Sequence, residues 1–151
     1  MHTFAEIIHQ LGPLINIPGL ASQENKDLCV IDLNPNQKLF IQLSHKSPEV
    51  EIVMQLGSIP PGKYREDFFR ACLKANGKNF PRFGNFAYLS KNEQLVLFES
   101  IPIDILDGES LYNFILLFSD KAQKYQEAIM QGDIPYVEER GDSNSSNPFG
   151  V

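Results

Sequence analysis

LCVIDLNPNQKLFIQLSHKSPEVEIVMQL, residues 28–56, holds three apolar runs joined by two short turns. Leu28 to Leu33 is an apolar run of the kind a buried strand carries. Asn34-Pro35-Asn36 is turn chemistry. Lys38 to Ser44 then alternates, with Leu39, Ile41 and Leu43 on one face. His45 to Pro48 makes a second turn, and Val50 to Leu56 alternates again, with Val50, Ile52, Met54 and Leu56 together. Parallel neighbours need a crossover of about a dozen residues or more, so turns this short predict an antiparallel meander.

Helices are predicted on either side. Upstream, Thr3 is a candidate N-cap with Glu6 three residues on, and Phe4, Ile7, Ile8 and Leu11 recur at helical spacing. Gly12-Pro13 ends that helix or frays it into Leu14-Ile15, and Asn16 to Lys26 is a loop. Downstream, a Pro-rich connector leads to a second helix over about 61–76, with Gly77 as its C′ stop. A hairpin follows, with strands at about 82–89 and 93–101. Asp107 is a good N-cap for a last helix carrying Leu111, Ile115, Phe118, Ala122, Tyr125 and Ile129, and Gly132 ends it. The fold class is α+β, in the order α-β-β-β-α-β-β-α, with three helices on a twisted antiparallel sheet. Residues 1–135 form a single domain and 136–151 read as a disordered C-terminal tail.

Acids outnumber bases 19 to 13, for a net charge of −6. Nucleic-acid affinity rests on basic side chains against phosphate, so a nucleic-acid partner is disfavoured, as is an anionic membrane surface. No apolar run reaches the roughly 18 residues of a membrane span, and no signal peptide is visible. Cys29 and Cys72 fall in different elements and suggest reduced, buried thiols in a cytoplasmic protein. The chain contains no His-Glu-x-x-His, paired Cys-x-x-Cys, Gly-x-Ser-x-Gly or P-loop. No metal, cofactor or catalytic residue is therefore assigned, and the leading expectation is a binding protein. The rivals are a small α/β enzyme whose site converges from distant positions, and a constitutive subunit of a complex.

The second helix has more apolar surface than one contact requires. At about 100° per residue, its apolar positions cover roughly 200°, against the ~100° that one sheet contact needs. Arg65 and Asn76 interrupt the arc. The hairpin is apolar on both faces: its first strand has Phe86 and Tyr88 on one side and Phe83, Ala87 and Leu89 on the other, and its second has Leu95 and Leu97 on one side and Val96 and Phe98 on the other. Exposed apolar surface in a small protein marks an interaction site.

In order and texture, residues 3–132 resemble the class I type III secretion chaperones, a Tir-chaperone-like family. The resemblance rests on Met54-Gln-Leu-Gly57 before the second helix, its close at Lys74-Ala-Asn-Gly77, and Leu95-Val-Leu-Phe-Glu-Ser-Ile-Pro-Ile103 followed by Leu106-Asp-Gly-Glu-Ser-Leu111. The details are similar to chlamydia-like members that serve the gatekeeper protein of the secretion apparatus. The resemblance implies a dimer in the bacterial cytoplasm that works without ATP. It implies that the dimer binds the N-terminal segment of a secreted effector or gatekeeper protein and keeps it soluble and secretion-competent. It puts client grooves on the first helix and nearby strand faces, at Phe4, Ile8, Leu11, Phe40 and Val53. It puts the dimer contact on the second helix and first hairpin strand, at Phe68, Phe69, Cys72, Phe83, Phe86 and Tyr88. A homodimer is the expectation, with a heterodimer of two related chains as the alternative.

Overall fold

The computed structural model describes residues 1–21, 27–78 and 83–137. Three helices and a five-stranded sheet follow the anticipated order: α1 (Phe4–Leu14), β1 (Leu28–Asn34), β2 (Gln37–Leu43), β3 (Glu49–Gly57), α2 (Lys63–Asn76), β4 (Asn85–Leu89), β5 (Gln94–Pro102) and α3 (Gly108–Gln131). A short 3-10 turn, Ile103–Ile105, precedes α3. All pairings are antiparallel, and the strands lie in the order β1-β2-β3-β5-β4. The meander is as expected, and α2 carries the chain across so that the hairpin returns with β5 beside β3.

Strand register separates the sheet into two faces. Ile31, Leu39, Met54, Leu97 and Phe86 stand side by side across all five strands, and every one is buried. They share one core with Phe4, Ile7, Ile8 and Leu11 of α1, Phe68, Cys72 and Ala75 of α2, and Leu111, Ile115, Phe118, Ala122, Tyr125 and Ala128 of α3. All three helices therefore cover this face. The sheet twists and the helices differ in length, so burying the face takes the apolar stripe of each helix.

Local details modify the sequence expectation. Helix α1 runs through Pro13 to Leu14, and Thr3 Oγ1 accepts from the Glu6 amide as its N-cap. β4 begins at Asn85, because Phe83 (φ 53°) and Gly84 (φ 121°) take left-handed conformations that no extended strand accommodates. The anticipated strand start at Arg82 lies outside the described residues. Gly77 closes α2 in the right-handed region, so its absent side chain is not used for a left-handed stop. Gly132 does end α3 in that way, at φ 72°. Asp107 caps α3 in a reciprocal pair with Ser110. The chain beyond α3 stays against the domain as far as it is described. Lys124 Nζ donates to the Tyr136 carbonyl, and Val137 packs on the core. The rest of the anticipated tail, 138–151, lies outside the described residues.

Candidate binding surfaces

The face of the sheet turned away from the helices carries a second row in register: Val30, Phe40, Val53 and Phe98, across β1, β2, β3 and β5. The first three are half-buried and Phe98 is 37% exposed. Lys38, Gln42, Glu51 and Gln55 on the same face are exposed. The result is an apolar band with a polar rim, running perpendicular to the strands. A one-sided sheet should alternate apolar and polar residues. Here the alternation fails along one register line, and it fails on four strands together.

A second surface forms where α2 meets β4, the edge strand. Arg65, Phe69 and Leu73 recur every four residues on α2, so they share a stripe. Phe69 and Tyr88 stack with ring centroids 5.1 Å apart, and the Arg65 guanidinium lies over both. Leu73, on that stripe, is 69% exposed, and Leu89, which follows Tyr88 in β4, is 42% exposed. Asn76 ties the helix to the strand: its Nδ2 donates to the Phe86 carbonyl at 3.0 Å, and its Oδ1 accepts from the Phe86 amide at 2.7 Å.

The residues anticipated for binding divide between these surfaces and the core. Phe4, Ile8 and Leu11, expected in client grooves, are buried in the chain's own core, because α1 turns its whole apolar stripe onto the sheet and α3. Phe40 and Val53 lie in the half-exposed outer row. Among those expected at the dimer contact, Phe68, Cys72 and Phe86 are interior. Phe68 meets Tyr125 edge-on at 6.1 Å, and Phe86 lies 4.3 Å from the same ring. Phe83 is half-buried and packs on Phe114 of α3 at 6.3 Å. Phe69 and Tyr88 are half-buried and pack against the margin of the core. Periodicity alone missed Phe98 and Arg65 as surface members of these two patches. The available signal for Phe98 was the doubly apolar hairpin.

Reactive chemistry has little foothold among the described residues. Burial pushes the Cys29 thiol up to about 11 and the Cys72 thiol up to about 12, so both are protonated and poor nucleophiles. Both are unpaired. No three His, Cys, Asp or Glu side chains among the described residues are grouped to hold a metal. A polar cluster joins Gln37, itself buried, to Ser119, Gln126 and Asn34. Its amides and hydroxyl are engaged with one another, and they pin the β1–β2 turn to α3. Among the described residues no helix is long and apolar enough to cross a membrane.

The comparisons agree with this architecture. A chain of the ExoT–SpcS complex from Pseudomonas aeruginosa superimposes with a TM-score of 0.61 at 13% identity, covering 82% of this chain and 97% of that one. The Yersinia pestis type III secretion chaperone SycH, solved with a partner fragment, gives 0.61 at 14% identity, covering 80% and 98%. A chain of the heterodimeric ExoU–SpcU complex from the type III secretion system of Pseudomonas aeruginosa gives 0.59 at 16%, covering 86% and 99%. No curated protein matches by sequence. The family model that matches, over residues 6–126, is that of the Tir chaperone protein (CesT), and the chain belongs to that family.

Proposed function

We propose that this protein is a type III secretion chaperone that binds a segment of a secreted effector or gatekeeper protein and holds it soluble until export. The observation that carries the reading is the register row Val30–Phe40–Val53–Phe98, half-buried to exposed, on the sheet face opposite the one on which the described helices share a core. A half-exposed apolar line across four strands has no use in an isolated monomer and is a solubility liability. It suits an extended segment whose alternate side chains drop onto it while polar atoms meet the rim. Affinity of this kind comes from apolar burial and needs no turnover, so the chaperone works without ATP. The acidic surface keeps the loaded and unloaded forms soluble in a bacterial cytoplasm. The α2–β4 edge, with Phe69, Tyr88, Leu73 and Leu89, is the dimer contact.

Co-expression with N-terminal segments of the secreted proteins of the same system, followed by size exclusion in ATP-free buffer, tests the reading. One segment is expected to co-elute with the wild-type chain. Phe40→Asp and Phe98→Asp are expected to lose that complex while keeping the wild-type melting temperature within a few degrees. Undiminished binding in both variants would remove the outer face from the client site. Absence of a complex with every segment would overturn the chaperone reading itself.

A further inference from the structure

Residues 133–137 follow α3 and lie beyond the family match, which ends at residue 126. Gly132 turns the chain at φ 72°, and the Asp133 amide closes the turn on the Ala128 carbonyl at 2.9 Å. The segment then lies beside α2. The Tyr64 hydroxyl donates to the Asp133 carbonyl at 2.8 Å, and Lys124 Nζ donates to that of Tyr136. Pro135 is buried and Val137 is half-buried on the core, while Ile134 and Tyr136 are exposed. Inward and outward residues alternate as they do in an extended chain. Asp67, Ala71 and Lys74 share one stripe of α2. With Arg70 they wall one side of a groove of about 680 Å³, and residues 134–137 wall the other.

The charge of that wall points to what fills the groove. Helix α2 carries four bases and two acids in a chain of net charge −6. Asp67 is engaged by Lys63 and Arg70, at 3.2 and 3.4 Å, so the wall as a whole is basic. Val137 lines the groove, and the next two residues are Glu138 and Glu139. Two residues of chain span at most about 7 Å, so both carboxylates stay beside the groove. The tether gives them an effective concentration that a separate peptide lacks. We infer that the C-terminal extension of this chain is the resident occupant of the α2 groove, with Glu138 and Glu139 set against Arg70 and Lys74. The extension then covers the Asp67–Ala71–Lys74 flank of α2 from within the chain. The Arg65–Phe69–Leu73 stripe is the flank left open to partners.

Zero-length carbodiimide cross-linking of the full chain, in an equal mixture of isotopically light and heavy protein, tests the inference. Peptide mapping is expected to find Lys74 joined to Glu138 or Glu139, in light–light and heavy–heavy pairs only. Hydrogen exchange is the second readout. The amides of Ile134, Tyr136 and Val137 are expected to be protected in the wild type. The double variant Glu138→Gln, Glu139→Gln is expected to speed their exchange roughly two- to tenfold at low salt and less at high salt. Light–heavy pairs would give the groove to the extension of a second copy and overturn the inference. Absence of the cross-link, with exchange unchanged in the double variant, would also overturn it and leave the groove to an acidic segment of another protein.

Discussion

Asn76 occupies the place on β4 that a sixth strand would take. Its amide meets both polar groups of Phe86, at 2.7 and 3.0 Å, on the outer side of the edge strand. Asn76→Ala removes both bonds, and leaving those backbone groups unmet is expected to cost about 1–3 kcal/mol. Urea titration measures the loss, and hydrogen exchange at the Phe86 amide should accelerate first. In sequence, Asn76 and Arg65 read as two flaws in an apolar arc. Each has its partner on β4, a strand that α2 meets only after folding, so local periodicity could mark the flaws but not explain them. The thiols supply a second prediction at this scale. Cys29 and Cys72 titrate near 9 when unfolded and are pushed to about 11 and 12 when folded, by burial. Burial also raises the Tyr125 hydroxyl. Above pH 9 the unfolded chain releases thiol protons that the native chain retains, so stability falls as pH rises from about 9 toward 11–12. Urea midpoints at pH 8, 9 and 10 should decline in that order under reducing conditions. A flat profile would mean that neither thiol is desolvated.

Between elements, α1 and α3 approach closely at Gly108. The first residue of α3, Gly108, donates its amide to Gln10 Oε1 at 2.8 Å. A methyl group added at Gly108 would stand 2.4 Å from Gln10 Cβ and 2.8 Å from the Gln10 carbonyl carbon. Part of that overlap is with backbone, so α1 must shift. Gly108→Ala is therefore expected to destabilise the domain by about 1–3 kcal/mol, the usual cost of overpacking, and a thermal melt detects it. The element order was legible because strand alternation and helix spacing are local signals, and the caps Thr3 and Asp107 stand where the sequence placed them. The start of β4 was not legible. Phe83 is a good strand residue by type, and only its packing on Phe114 accompanies the positive φ that ends the strand there. The candidate client residues were half legible for a related reason. Spacing shows that Phe4, Ile8 and Leu11 share a stripe, as Phe40 and Val53 share a face, but not which stripe the molecule covers for itself.

At the scale of the whole molecule, that question becomes a test with two adjacent phenylalanines. Phe68 is fully buried, with ring contacts to Tyr64 at 5.8 Å and Tyr125 at 6.1 Å. Phe69 points toward Tyr88 and the α2–β4 surface. An aspartate at 68 would put an unpaired charge in the core, at a cost of several kcal/mol against a total stability of about 5–15 kcal/mol for a domain of ordinary size. Phe68→Asp is expected to unfold the chain or leave it aggregated, whatever its oligomeric state. Phe69→Asp places the charge where water can reach it until a partner arrives, so the fold should survive and the assembly should not. Light scattering after size exclusion should find wild type near twice the 17.1 kDa chain mass, and the Phe69 variant as a monomer with native circular dichroism. A Phe69 variant that stays dimeric would move the contact off this edge. The outer sheet face would then be the apolar surface left to make it, and client and second copy would have to compete for Phe40 and Phe98.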